Sequence, residues 1–301
     1  MYCWGDDMSN WADPGAYRFA GDARAKKGRA AAARASARKG GRSYLSRRAP
    51  EMATVSPRGK VISTTSTTPV VIAVDVTGSM ARWPYEIFDR LPLLYQTLAQ
   101  YRPDLEVCFA AIGDATCDRY PLQVCDFARG VALEEQLNAL YGEGGGGGGA
   151  RESYELFAYY LLRHVRAPEA TRPFLIVFGD EGFYPRVDAR QVRHFLGEEQ
   201  AEHHDSRAVW SAVAEAWNVF HLRKTYGGEQ EAEIQAQWAD ALGEERVISL
   251  DDPQRAVDLA LGLIARAWGR YGDFEANMGA RQSEDAVRAI GERLARVEAS
   301  Q

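Results

Sequence analysis

Between residues 69 and 268 the apolar positions fall into two alternating patterns. Short continuous runs, rich in β-branched residues, recur at Val70–Val74, Leu105–Ile112, Phe174–Phe178, Val219–Leu222 and Arg246–Leu250. Runs of this length and composition predict strands buried on both faces. Between them lie segments with apolar residues three and four apart, the spacing of one helix face. Ile87, Leu91, Leu94 and Leu98 place such a face on a helix over Tyr85–Tyr101, and Tyr154, Phe157, Leu161 and Val165 place one over Glu152–Val165. Further helices are predicted over Leu133–Tyr141, Val187–Leu196, Arg207–Trp217, Glu229–Leu242 and Ala256–Trp268, with Leu122–Phe127 a short strand at the sheet edge. Strands alternating with helices predict an α/β fold with a mostly parallel central sheet and helices on both faces.

Outside this block the pattern changes. Residues 1–68 form a basic, Ala/Arg-rich arm and linker, residues 69–268 the alternating domain, and residues 269–301 a connector with a C-terminal helix. Ser63–Thr68 reads as a polar linker and Gly269–Gln282 as a connector punctuated by glycines. Glu284–Val297, preceded by Ser283 as its cap, sets Val287, Ile290, Leu294 and Val297 on one face, and docking on its own domain is the expected use. The 301 residues are 46 % hydrophobic and 26 % charged, enough to build a core and to exclude global disorder. The net charge of −6 is unevenly spread: residues 1–60 hold 13 Lys/Arg against 5 Asp/Glu, the remainder 23 against 37. A basic arm on an acidic body suggests contact with nucleic acid or an acidic partner, although a solvated, partly helical tail has the same composition.

Cys3, Cys108, Cys117 and Cys125 form no Cys-x-x-Cys pair and no zinc-like spacing with the histidines. No apolar stretch approaches the ~20 residues of a membrane span. The first residues also lack the apolar centre of a signal peptide. The expectation is a cytoplasmic protein with no membrane contact.

The chemistry concentrates at the ends of strands. Val70–Val74 runs into Asp75, Thr77 and Ser79, one carboxylate and two hydroxyls spaced two apart, with Gly78 supplying the turn out of the sheet. A second loop, Gly142–Gly149, holds seven glycines in eight positions and leads into Glu152-Ser153. A third follows Phe174–Phe178 and carries Asp180 and Glu181. Ligands of open α/β sheets bind beyond the carboxyl ends of the strands, so three oxygen-rich loops there suit a hard cation such as Mg²⁺. Each loop also has a plainer reading: Asp75 and Ser79 as helix caps, the glycines as a linker, Asp180-Glu181-Gly182 as an ordinary turn.

Asp75-Val76-Thr77-Gly78-Ser79 resembles the Asp-x-Ser/Thr-x-Ser signature of von Willebrand factor A (vWA) domains, which opens their metal-ion-dependent adhesion site. Ile112-Gly113-Asp114, Cys117-Asp118-Arg119, Pro121-Leu122-Gln123 and Gly179-Asp180-Glu181 look like a bacterial and phage-associated group of that family. The resemblance spans roughly residues 69 to 268 and implies a doubly wound, Rossmann-like vWA fold. It implies that Thr77 and Ser79 ligate Mg²⁺ (or Mn²⁺ or Ca²⁺) directly and that Asp75 and Asp180 act largely through waters. Glu152 or Ser153 would complete the set, in place of the Thr that animal adhesion domains carry directly after the glycines. Asp114, Asp118 and Glu181 would stand behind these ligands, with Asp114 and Asp118 reading equally well as turn residues.

The function implied is a non-enzymatic module that captures an acidic group of a protein partner. By analogy that partner is a MoxR-type AAA+ ATPase or another component of a bacterial stress or phage-conflict system. Two alternatives stand beside it: a metal-dependent phosphoryl-transfer or hydrolytic enzyme, and nucleic-acid binding through residues 1–60. Against the enzyme, Thr77 occupies the place of the second Asp of a haloacid-dehalogenase phosphatase, and Ala150-Arg151 follow the glycines where a P-loop needs Lys and Ser/Thr.

Overall fold

A computed structural model of the protein describes residues 49–145, 149–171 and 173–299. Most of the basic arm, and the expectation attached to it, lies outside these residues.

Six strands form the central sheet: β1 (Val70–Asp75), β2 (Val107–Ile112), β3 (Leu122–Val124), β4 (Phe174–Gly179), β5 (Asn218–Lys224) and β6 (Val247–Leu250). Their order across the sheet is β6-β5-β4-β1-β2-β3. β1 is central and wholly buried, and Val70 stands in parallel register with Val107 on one side and Phe174 on the other. Successive side chains of a strand point to opposite faces. Val70, Ile72 and Val74 therefore join one core, with α1 (Trp83–Tyr101), α2 (Ala132–Ala139) and α6 (Ala256–Ala267). Val71 and Ala73 join the other, with α3 (Tyr154–His164), α4 (Ser206–Ala216) and α5 (Glu231–Leu242).

The doubly wound vWA-type fold expected from the sequence is corrected here to a mixed six-stranded sheet, largely parallel, with helices packed around it. β3 runs antiparallel to β2, with Ala110 opposite Val124 and Ile112 opposite Leu122. The cause is the short link Gly113–Pro121, which is filled by turns at Asp114 and Asp118. A parallel return needs a crossover of a dozen residues or more, usually a helix, and this link has no room for one.

Three further segments depart from the pattern. Ile62–Ser63 pairs with Val165–Arg166, and Thr64, Ser66 and Thr68 are buried, so the polar linker is packed on the body. Its side chains supply their own backbone partners, Thr64 Oγ1 accepting from Ser66 N at 3.0 Å and Ser66 Oγ from Thr68 N at 3.2 Å. The glycine-punctuated connector contains α7 (Tyr271–Gly279), which buries Phe274 and Met278. Val187–Leu196 is a short helix, Ala189–Gln191, continuing as a π-type turn over Val192–Leu196 that Gly197 ends at φ 81°.

The C-terminal helix α8 (Glu284–Ala299) docks on α6, burying Ile290, Leu294 and Val297. Gly262 makes the approach possible, because a Cβ there would stand 2.5 Å from Leu294 Cδ1 and 3.1 Å from Phe274. No helix among the described residues is long and apolar enough to cross a membrane.

Two stability predictions follow from this packing. Leu294→Ala removes the side chain that fills the space over Gly262 and should cost about 2–5 kcal/mol, read from urea unfolding. Asp258, buried in the first turn of α6, is pushed up from 3.8 to about 6 by burial, with Arg255 and Arg90 opposing. The folded chain thus holds this proton more tightly than the unfolded one, and stability falls as pH rises from about 4 to about 6. In Asp258→Asn that fall should be shallower, by at most on the order of 3 kcal/mol across the window. Unfolding curves at stepped pH test this, and equal slopes in both proteins would refute it.

Candidate metal centre

The site is assembled at the carboxyl end of β1. Asp75 is the last residue of the strand and is fully buried. Its Oδ1 accepts from Thr77 N at 2.8 Å and from Thr77 Oγ1 at 2.5 Å, a side-chain turn that folds the chain back over the strand end. Its Oδ2 accepts from the hydroxyl of Tyr154, the first residue of α3. That hydroxyl reaches Asp75 by passing over Gly179, where a Cβ would overlap it and come within 2.8 Å of Cζ. Gly179 is therefore required by the path of another residue's side chain, not by its own backbone.

Ser79 links the first loop to the third. Its Oγ lies 3.2 Å from Thr77 Oγ1 and donates to Asp180 Oδ1 at 2.9 Å. The glycine run closes the same corner from its near end. Gly78 N donates to Gly145 O at 2.7 Å, Gly144 N donates to Val76 O at 3.1 Å, and a Cβ on Gly78 would stand 3.0 Å from Gly144 O. Asp75, Thr77, Ser79 and Asp180, from two segments far apart in sequence, thus share one hydrogen-bonded group.

Glu152 and Glu181 form the neighbouring part. Arg151–Glu152 pairs in parallel with Gly182–Phe183, which brings the two glutamate carboxyls close to each other. Both are buried, and no donor of the protein reaches Oε2 of either. Burial, followed by the charges of Asp75, Glu181 and Asp114, holds Glu152 far above the usual carboxylate range. Glu181 is pushed up to about 7 by burial and the charge of Asp180, and Asp75 to about 7 by burial and Asp180 against the bonds from Thr77 and Tyr154. Burying several carboxylates together disfavours their ionisation unless a cation joins them.

Ser153 is directed elsewhere. Its Oγ accepts from Ala115 N at 2.8 Å and its N donates to Gly113 O at 3.1 Å, so it staples α3 to the loop after β2. In that loop Asp114 Oδ1 accepts from Thr116 N and Thr116 Oγ1, repeating the Asp75–Thr77 turn on the adjacent strand. Asp114 also accepts from the Tyr184 hydroxyl at 3.1 Å. Asp118 accepts from Asp114 N at 2.8 Å and lies against Gly113 and Gly145, bracing the glycine run from behind.

Two participants carry no motif in the sequence. Tyr154 reads there as one more apolar position of α3, and its hydroxyl matters only because Gly179 lies beneath it. Lys224, the last residue of β5, donates to Asp180 Oδ2 at 2.7 Å and to the Ser79 carbonyl at 2.9 Å. The ladder puts Arg223 opposite Gly179, which sets Lys224 alongside Asp180.

Among the described residues no three His, Cys, Asp or Glu side chains come together in a ready metal cage. The available donors are hydroxyls mixed with carboxylates, all hard oxygens, with two buried carboxylate oxygens lacking partners. That donor set fits a Mg²⁺-class cation and does not fit a soft metal.

No family model and no curated protein matches the chain. Among solved structures, the pilus adhesin SpaC from Lactobacillus rhamnosus GG is similar over 70 % of this chain and 32 % of its own, with TM-score 0.47 and 12 % identity. Proximal thread matrix protein 1 from the mussel byssus is similar over 68 % of this chain and 48 % of its own, with TM-score 0.47 and 8 % identity. A variant of the PilB minor pilin from Streptococcus sanguinis covers 69 % of this chain and 62 % of its own, with TM-score 0.42 and 12 % identity. The chain thus spans less than two thirds of each of these proteins. All three similarities are distant, and the fold is described by its own mixed, largely parallel sheet.

Gly179→Ala should push the Tyr154 hydroxyl off Asp75 and destabilise the protein by roughly 1–3 kcal/mol. Adding Tyr154→Phe removes the overlapping hydroxyl, so the double variant should lose less than the sum of the two single losses. Additive losses in denaturant unfolding would exclude the overlap as the cause.

Proposed function

We propose that the chain is a non-enzymatic binding module that holds a divalent cation, Mg²⁺ or a similar hard ion, and captures an acidic group of a protein partner. The observation that carries this reading is the Thr77–Ser79–Asp180 chain of contacts, which joins the ends of β1 and β4 through hydroxyl and carboxylate oxygens alone. The unpartnered Oε2 atoms of Glu152 and Glu181 support it, because buried acceptors in native proteins ordinarily have a partner. Thr77, Ser79, Asp75 and Asp180 would hold the ion, with Glu152 and Glu181 adding negative charge beside it. When bound, the ion supplies positive charge that an anionic side chain of a partner can approach. The motif resemblance of Asp75-Val76-Thr77-Gly78-Ser79 to metal-ion-dependent adhesion sites points the same way.

Catalysis fits less well. Both oxygens of Asp75 are engaged, by Thr77 and by Tyr154, and an engaged, buried carboxylate is poorly suited to attack a phosphate or to serve as a base.

Thermal unfolding with and without Mg²⁺, Mn²⁺ and Ca²⁺ tests the proposal. At 100 times its Kd the ion should add roughly 2.7 kcal/mol to the wild type. Ser79→Ala, which keeps the buried carboxylates in place, should retain its fold by circular dichroism and lose most of that increment. Capture of a carboxylate-bearing partner should fail in EDTA. A wild type that none of the three ions stabilises would overturn the reading.

A further inference from the structure

Asp180 is completely buried, and both of its carboxylate oxygens are taken by the protein itself. Oδ1 accepts from Ser79 Oγ, and Oδ2 faces the Lys224 ammonium. We propose that Lys224 is a built-in counter-ion of the centre, which neutralises Asp180 when no divalent ion is present and must withdraw for one to bind. This rests on the cation-binding reading above and adds the residue that sets its affinity.

Three features of the surroundings single out Lys224. The ammonium touches two groups of the centre at once, Asp180 Oδ2 at 2.7 Å and the carbonyl of the candidate ligand Ser79 at 2.9 Å. It therefore stands beside the Asp180 carboxylate and the residue that carries the Ser79 hydroxyl, and an ion held there would be repelled by it. Its side chain is 24 % exposed while that of Asp180 is 0 % exposed, so the ammonium has a way out to water and the carboxylate does not. The neighbouring cation has no such freedom. Arg223 is fully buried, donating to the Asp180 carbonyl at 3.1 Å and pairing with Glu231, and it pins the strand from which Lys224 reaches. A lysine is also the side chain suited to this exchange, a compact charge on a flexible stem rather than a rigid planar fork. The centre thus has two charge-balanced arrangements, with the ammonium in or with the ammonium out and a divalent ion in its place. Affinity for the ion is lowered by whatever the lysine contact contributes.

Mn²⁺ binding to the full chain, followed by electron paramagnetic resonance, separates the possibilities. Lys224→Gln keeps a hydrogen-bond donor for Asp180 and removes the charge, and Lys224→Arg keeps the charge. Expected results are Mn²⁺ binding by the wild type, binding about tenfold tighter or more in K224Q, and binding no tighter than wild type in K224R. K224Q should also unfold at a lower temperature than wild type without metal and recover when saturated with Mn²⁺. Equal or weaker binding by K224Q than by wild type would overturn the counter-ion role and leave the cation site standing. Binding by K224Q alone would uphold the role and overturn metal binding by the native chain. Two folded proteins that both ignore Mn²⁺ would overturn the site and this inference with it. Should K224Q not fold, ¹⁵N spectra of the wild-type lysine ammoniums decide: Mg²⁺ must shift the Lys224 signal to that of a solvated ammonium, and an unmoved signal overturns the proposal.

Discussion

A carboxylate without access to water, Asp75 at the end of the central strand, is the constraint around which the rest is arranged. A buried ionisable group must be hydrogen-bonded or neutralised. The chain meets that demand from two directions, with Thr77 two residues on and Tyr154 at the head of a distant helix. The second contact sets the start of α3 beside β1 and requires glycine at the end of β4, while Gly144 and Gly145 hydrogen-bond to the turn after Asp75.

The same economy appears in the neighbouring acids. The charge of Asp180 raises the cost of ionising Asp75 and Glu181, and the charges of Asp75 and Glu181 raise that of Glu152. Lys224 pairs with Asp180. The two glutamates lie close together, with no donor of the protein at Oε2 of either. Two apolar layers flank β1 beneath this rim.

Repetition of the Asp-x-Thr turn on adjacent strands adds a detail to this picture. Asp75–Thr77 and Asp114–Thr116 use the same pair of hydrogen bonds at the ends of β1 and β2. Only the first is followed by Gly78 and Ser79, which open the turn toward Asp180. The second is followed by Cys117 and Asp118, and there the carboxylate braces the glycine run. Local turn chemistry is common to both, and the following two residues separate a candidate ligand loop from a supporting one.

Sequence alone determined what depends on near neighbours. The five strands, most of the helices with three- and four-residue apolar spacing, and the polar strand-end loops carrying Asp75, Thr77, Ser79 and Asp180 were legible, because period and turn chemistry are local properties. Tertiary structure decided the direction of Leu122–Val124, the packing of Thr64, Ser66 and Thr68, the helix inside the glycine-punctuated connector, and the diversion of Ser153 to Ala115. It also brought in Tyr154 and Lys224, whose roles no spacing could reveal. A hydroxyl above a missing Cβ and an ammonium one ladder position past a glycine exist only once separate strands lie side by side.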